Sequence, residues 1–328
     1  MTSAAFFGET KQIDHVFAQG RRAQVAAQTR LYPHVVGADF AAHAPHLRDL
    51  EAIFSTWGMP RLEAAQLDLL PNLKIVFYAA GSVQGFARPF LERGIQVVSA
   101  WQANGVPVAE FTLGQILLAN KGYFQNSRAF VAPGSRRTAP RGAGNFGASV
   151  ALLGAGAIGR MVIELLRPFH LKILVFDPFL KDAAAISLGV QKVTLREAFS
   201  RANVVSNHLA NLPQTVKLLR EEHFAALPPG ATFINTGRGT TVDEDGLIRV
   251  LQARPDLTAL LDVTHPEPPA AGSPLYYLPN VQLSSHIAGS LGDEVVRMAD
   301  YVIEEFHRWQ RGEALRYAVT LEMLETMA

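Results

Sequence analysis

An arginine, a glutamate and a histidine define the chemistry this chain could do. Arg238 stands in Asn235-Thr236-Gly237-Arg238-Gly239. Glu267 stands in His265-Pro266-Glu267-Pro268-Pro269, and His286 in Ser284-Ser285-His286-Ile287-Ala288-Gly289. Each lies at or beyond the end of an apolar run that reads as a strand. A redox step on an alcohol needs a base for the hydroxyl proton, and histidine suits that near neutral pH. A carboxylate partner would hold the imidazole's tautomer and stabilise its charged form. An arginine fork suits an acid substrate and polarises a carbonyl oxygen. Taken singly, each residue also fits a plainer place: a surface arginine, a loop glutamate, a hydrogen-bonded structural histidine.

A second constellation names the partner such chemistry needs. Ser149 to Leu153 reads as a buried parallel strand. Gly154, Gly156 and Gly159 follow in G-x-G-x-x-G spacing, and an apolar helix pattern runs on through Leu166. The first glycine permits the turn, the second the approach of a pyrophosphate, the third close packing of helix on strand. The phosphates would then meet free N–H groups at the helix N-terminus. A second apolar run, Ile173 to Phe176, ends in Asp177. An acid about 20 residues beyond the glycines is placed to accept from a ribose 2′-hydroxyl. It would repel a 2′-phosphate, so NAD is expected over NADP. Composition and spacing reach an NAD-binding protein and stop there.

The elements that must position these groups alternate along the chain. Helices are expected over 62–70, 107–121, 244–253 with Asp243 as cap, and 291–311. Strands are expected over 74–78, 95–99, 203–207, 232–235, 258–262 and 281–284. Thr194 and Glu197 form a capping box opening a short helix. Residues 133–147, with Arg136, Arg137 and Arg141, read as a solvated loop. This alternation predicts an α/β protein with a doubly wound parallel sheet, whose ligands lie beyond the strands' carboxyl ends. The chain has 328 residues, room for two domains. Lys plus Arg is 30 and Asp plus Glu 29, so no nucleic-acid partner is expected. The absence of cysteine excludes thiolate metal sites and cysteine nucleophiles, and no metal is expected. There is no basic leader and no long apolar run, so no membrane partner and a cytoplasmic location are expected.

The ordered motifs resemble the D-isomer-specific 2-hydroxyacid dehydrogenases. They are Leu153 to Gly159, Asn235 to Gly239 with Val242-Asp243-Glu244, Leu261-Asp262-Val263 with Pro266-Glu267-Pro268, and Ser273-Pro274-Leu275 leading to His286-Ile287-Ala288-Gly289. The resemblance covers most of residues 150 to 290. It implies that Arg238, Glu267 and His286 are the catalytic trio, with Arg238 and His286 also touching substrate. It implies an NAD site of Gly154, Gly156, Ala157, Ile158, Gly159, Asp177, His208, Thr236, Gly237, Asp262 and Gly289. Gly81 and Ser82 match a loop whose N–H groups hold the substrate's carboxylate. It further implies a Rossmann-type sheet, residues 104–294, inserted into a smaller flavodoxin-like α/β substrate domain, residues 1–103 and 295–328, and a homodimer. The implied reaction passes hydride between NAD(H) and a 2-keto acid/D-2-hydroxy acid pair. The alternatives are a glyoxylate or hydroxypyruvate reductase using NADPH, and an NAD-sensing, corepressor-like binding protein. Glu267 argues against formate oxidation, since formate enzymes of this superfamily carry an amide there. Three departures bear on substrate choice: Ala210 where a proline is usual, Val83 and Gln84 near the carboxylate loop, and His265 in place of an acid.

Overall fold

The computed structural model describes residues 1–326. Its contacts divide the chain into two units, Met1–Gly105 with the chain from Ser290 on, and Val106–Gly289.

The first unit opens with five strands, β1 (Thr2–Phe7), β2 (Thr29–Leu31), β3 (Ala52–Ser55), β4 (Ile75–Tyr78) and β5 (Gln96–Ser99). The second unit supplies β6 (Ser149–Leu153), β7 (Lys172–Phe176), β8 (Gln191–Lys192), β9 (Val204–Asn207), β10 (Thr232–Asn235), β11 (Thr258–Leu261) and β12 (Val281–Leu283). The chain then returns to the first unit for β13 (Ala318–Val319).

In the first sheet the order is β13-β5-β4-β3-β1-β2. All pairs are parallel except β13 on β5. The order from β2 to β5 is the flavodoxin-like winding. Phe54, Phe77 and Phe306 meet at its centre, Phe306 coming from the helix Val296–Gln310. Glu305 on that helix is fully buried, and its Oε2 accepts from the N–H groups of Arg316 (2.8 Å) and Tyr317 (3.0 Å). That carboxylate fastens the returning tail just before β13.

In the second sheet the order is β12-β11-β10-β9-β6-β7-β8, all parallel. This is the Rossmann winding with one further strand, and its order reverses between β6 and β9. Strands buried on both faces need continuous apolar runs, which Val150–Leu153 and Ala259–Leu261 provide.

Several elements differ from the sequence expectation. The helix expected from Pro107 starts at Trp101 and runs to Asn120 with Pro107 inside it. Proline withholds one N–H from the i−4 carbonyl, and here that local loss does not end the helix. The helix expected from Leu291 begins as a 3-10 turn, Gly292–Val295, and becomes α-helical at Val296. There Glu294 Oε2 takes the Leu291 N–H at 2.9 Å. Asp243 stands at the N-cap of Glu244–Ala253, but its side chain accepts no cap hydrogen bond. The loop holding Arg136 and Arg137 contains a short 3-10 turn, Pro133–Arg137. The Thr194 capping box forms as expected, with both reciprocal bonds present.

Replacing Glu305 with Ala strips the Arg316 and Tyr317 N–H groups of a buried, charged acceptor and should cost about 3 kcal/mol. Urea unfolding measures it; a loss under about 0.5 kcal/mol, the range of surface changes, would contradict the latch.

Candidate active site

The second unit brings Arg238, Glu267 and His286 to the carboxyl edge of its sheet. Each is held by polar groups at strand ends. Asn207, last in β9, and Asn235, last in β10, are register partners on these two adjacent strands. Asn207 Nδ2 donates to Asn235 Oδ1 at 3.0 Å and to Thr241 Oγ1 at 2.9 Å. Asn235 Oδ1 also accepts from the Gly237 N–H at 3.1 Å, and Thr241 Oγ1 donates to the Arg238 carbonyl at 2.8 Å. This buried network fixes the turn that presents Arg238. Gly239 lies so close to Thr264 that a Cβ would come within 2.0 Å of its backbone. The turn is thereby seated on the loop leading to Glu267.

Arg238 is partly buried, and its Nη1 donates to the Gly237 carbonyl at 2.8 Å. Burial pulls its pKa below the usual guanidinium value, while the nearby Glu267 carboxylate pushes it back up. Glu267 Oε1 lies 2.6 Å from His286 Nδ1. The side chains of His286 and Glu267 are 51% and 42% exposed, so the pair is open to a substrate. His286 adopts a positive φ of 58°, uncommon for a residue with a Cβ. Asp262, 3% exposed, holds that turn. Its Oδ1 accepts from Ser284 Oγ at 2.6 Å and Ile287 N–H at 2.9 Å, and its Oδ2 from Ala288 N–H at 2.9 Å. The Asp262 carbonyl accepts from the His286 N–H at 3.0 Å. The resemblance implied a place for Asp262 in the NAD site; what the structure shows is that it organises the histidine's turn. The signal was a buried acid at a strand end with Ser284 ahead of the histidine.

The three glycines have three different surroundings. Gly154, at φ 100°, sits against the His208 carbonyl, 2.8 Å from where a Cβ would be. A Cβ on Gly159 would lie 2.1 Å from the Gly154 carbonyl oxygen. Gly156 has nothing within 4 Å, and no side chain caps the helix Ala157–Leu166 that it opens. Gly154 and Gly159 serve packing, and Gly156 faces open space before uncapped N–H groups. That is the cradle a dinucleotide's pyrophosphate requires. Asp177, at the end of β7, accepts from Ala155 N–H (2.7 Å), Phe179 N–H (2.7 Å) and Leu180 N–H (3.1 Å). The acid expected to read the ribose is therefore also a strut of the glycine loop.

His208 follows β9 at the reversal of strand order. Its Nε2 pairs with Ser206 Oγ at 3.0 Å, and its Nδ1 is shielded without a hydrogen-bond partner. Thr236 is buried, its hydroxyl 3.2 Å from that of Thr112. Ala157 and Ile158 open the helix Ala157–Leu166, while Gly237 and Gly289 lie in the turns that carry Arg238 and His286. Gly81 and Ser82, in the first unit, follow β4; the Ser99 hydroxyl donates to the carbonyls of Ala80 (3.0 Å) and Gly81 (2.6 Å). Among the described residues no cluster of three or more His, Asp or Glu is arranged to hold a metal ion.

A sequence model of the D-isomer specific 2-hydroxyacid dehydrogenase NAD binding domain matches residues 113–288. The chain belongs to that family. It is similar to the D-3-phosphoglycerate dehydrogenase of Archaeoglobus fulgidus, 27% identical over 266 residues, covering 81% of this chain and 50% of that protein. The chain thus spans about half the length of the phosphoglycerate dehydrogenases it matches. It is also similar to the glyoxylate reductase of Korarchaeum cryptofilum, 27% identical over 285 residues, 85% of each chain. Its fold is that of a Rhizobium etli phosphoglycerate oxidoreductase (TM-score 0.83, 23% identity, covering 99% of this chain and 100% of that one). D-mandelate dehydrogenase of Rhodotorula graminis shares it too (TM-score 0.79, 21% identity, 97% of each).

Burial pushes the His208 imidazole down to about 4, so it stays neutral through the physiological range. As pH falls below about 6.5 the unfolded chain takes up this proton first, so stability drops on acidification. The imidazole proton resonances should hold constant above about pH 5.5. A midpoint near the ordinary histidine value would contradict the burial argument.

Proposed function

We propose that this protein reduces 2-keto acids to D-2-hydroxy acids with NADH, reversibly. The observation that carries the reading is the 2.6 Å contact of Glu267 with His286 Nδ1, on a turn held by Asp262. NADH, when bound, supplies the hydride. With Nδ1 engaged by Glu267, His286 keeps Nε2 for the substrate. In reduction Nε2 donates its proton to the carbonyl oxygen; in oxidation it takes the hydroxyl proton. Arg238 holds the substrate's carboxylate and polarises its carbonyl through the free part of its fork. Gly81 and Ser82 are proposed as a carboxylate-binding turn, which makes the first unit the substrate-binding one. Asp177 favours NADH over NADPH by repelling a 2′-phosphate. Thr236, Gly237, His208, Asp262 and Gly289 complete the proposed cofactor contacts. A homodimer belongs to the same proposal and rests on the resemblance. The cytoplasmic location rests on the sequence expectation, and the absence of a nucleic-acid partner on the balanced charge of 30 Lys plus Arg against 29 Asp plus Glu.

The test is NADH oxidation with glyoxylate, hydroxypyruvate, pyruvate and an aromatic keto acid, each repeated with NADPH. At least one keto acid should turn over, with higher kcat/KM for NADH. Arg238→Lys keeps the charge but loses the fork, and should lower kcat/KM for keto acid on the order of 10²-fold with NADH affinity little changed. Tight NADH binding without turnover of any keto acid would overturn the reading and favour a sensor. An undiminished kcat/KM in Arg238→Lys would remove that residue from the site.

A further inference from the structure

From Ser149 to Ile163 the chain carries a single charge, Arg160. It sits in the first turn of the helix Ala157–Leu166, directly after the third glycine. Its natural helical partner would be Glu164, four residues on. Glu164 instead pairs with Arg167 at 2.7 Å. Arg160 turns the other way, and its Nε donates to the Ala155 carbonyl at 2.8 Å. Its two terminal nitrogens have no partner among the described residues, and the residue is exposed. Helical side chains lean toward the helix N-terminus, so this bond carries the guanidinium over the first turn. Gly156, next in the chain after Ala155, has nothing within 4 Å of its open face. Ala155 is held through both backbone groups, its N–H by Asp177 and its carbonyl oxygen by Arg160.

We propose that Arg160 supplies the cation for the dinucleotide's pyrophosphate. The Ala155 carbonyl fixes Nε, and this aims the two terminal nitrogens across Gly156 at the phosphate oxygens. Uncapped helix N–H groups bind phosphate through partial charges alone. A planar guanidinium adds a full charge and two directed donors. The proposal rests on the NAD site and adds a residue to it that the glycine spacing does not name.

The test is titration of the full-length protein with NADH, ADP-ribose and adenosine, for wild type, Arg160→Gln and Arg160→Lys. NADH binding is read by its fluorescence, the other two by competition. Arg160→Gln should weaken NADH and ADP-ribose by about tenfold to a hundredfold. Adenosine, which lacks phosphate, should bind within about twofold of wild type. The salt dependence of NADH affinity should flatten in Arg160→Gln, and Arg160→Lys should recover part of the loss. NADH and ADP-ribose affinities within about twofold of wild type in Arg160→Gln would overturn the proposal. So would an equal loss for all three ligands, which would make Arg160 only a prop for the Ala155 loop. Wild-type protein that bound neither NADH nor ADP-ribose would instead overturn the dinucleotide site itself.

Discussion

The candidate active site depends on a buried carboxylate that never faces the reaction alone. Asp262 accepts three hydrogen bonds from the turn beyond β12, and its carbonyl takes the His286 N–H. Burying a charge is costly unless donors surround it. Here the donors are Ser284, Ile287 and Ala288, so the offset for that cost is the shape of the turn. The turn in turn places His286 at φ 58°. A backbone in that region costs on the order of 1–2 kcal/mol and persists only where the surroundings over-determine it. On that turn the imidazole meets Glu267 through Nδ1, and its Nε2 has no hydrogen-bond partner among the described residues.

The same economy of strand ends recurs across the sheet. Asn207 and Asn235 hold the Arg238 turn, Asp177 holds the glycine loop, and Glu244 holds the His265 N–H at 3.1 Å. Burial raises the Glu244 pKa above the ordinary carboxylate value, with the bond from His265 opposing it. All of these stand at or near the carboxyl edge, where parallel strands leave their last carbonyls and N–H groups to be satisfied. In a doubly wound sheet, polar side chains there do two tasks: they complete the backbone's hydrogen bonding and they set the direction of the groups that meet ligand. The reversal of order between β6 and β9 brings Gly154 against His208, and the dinucleotide cradle opens at that point.

Much of this was legible in the residues. The glycine spacing, the strand ending in Asp177 and the Thr194 box are local patterns, and each has a local physical cause. The winding of the second sheet followed from the alternation of elements. What escaped was set by distant partners. Pro107 sits inside a helix that local rules would start there. Asp243 occupies a cap position without making the cap. Glu305 reads as one more charge on an amphipathic helix, yet it is wholly buried because the tail returns over it. Trp57 packs against the core of the first unit, a place no local pattern marks. Trp101 belongs to none of the buried clusters, and its indole N–H is shielded without a partner. That Asp177 and Asp262 hold their own loops could not be read from spacing.

His286 is proposed as the proton carrier of hydride transfer. The most direct measurement is the single-turnover rate of NADH oxidation by a keto acid in His286→Ala, with and without added imidazole. The account predicts a loss on the order of 10²–10⁴ in rate, unchanged NADH affinity, and partial recovery with imidazole. A variant that transfers hydride at a rate within about threefold of wild type would contradict it, since general acid–base catalysis is worth far more than that.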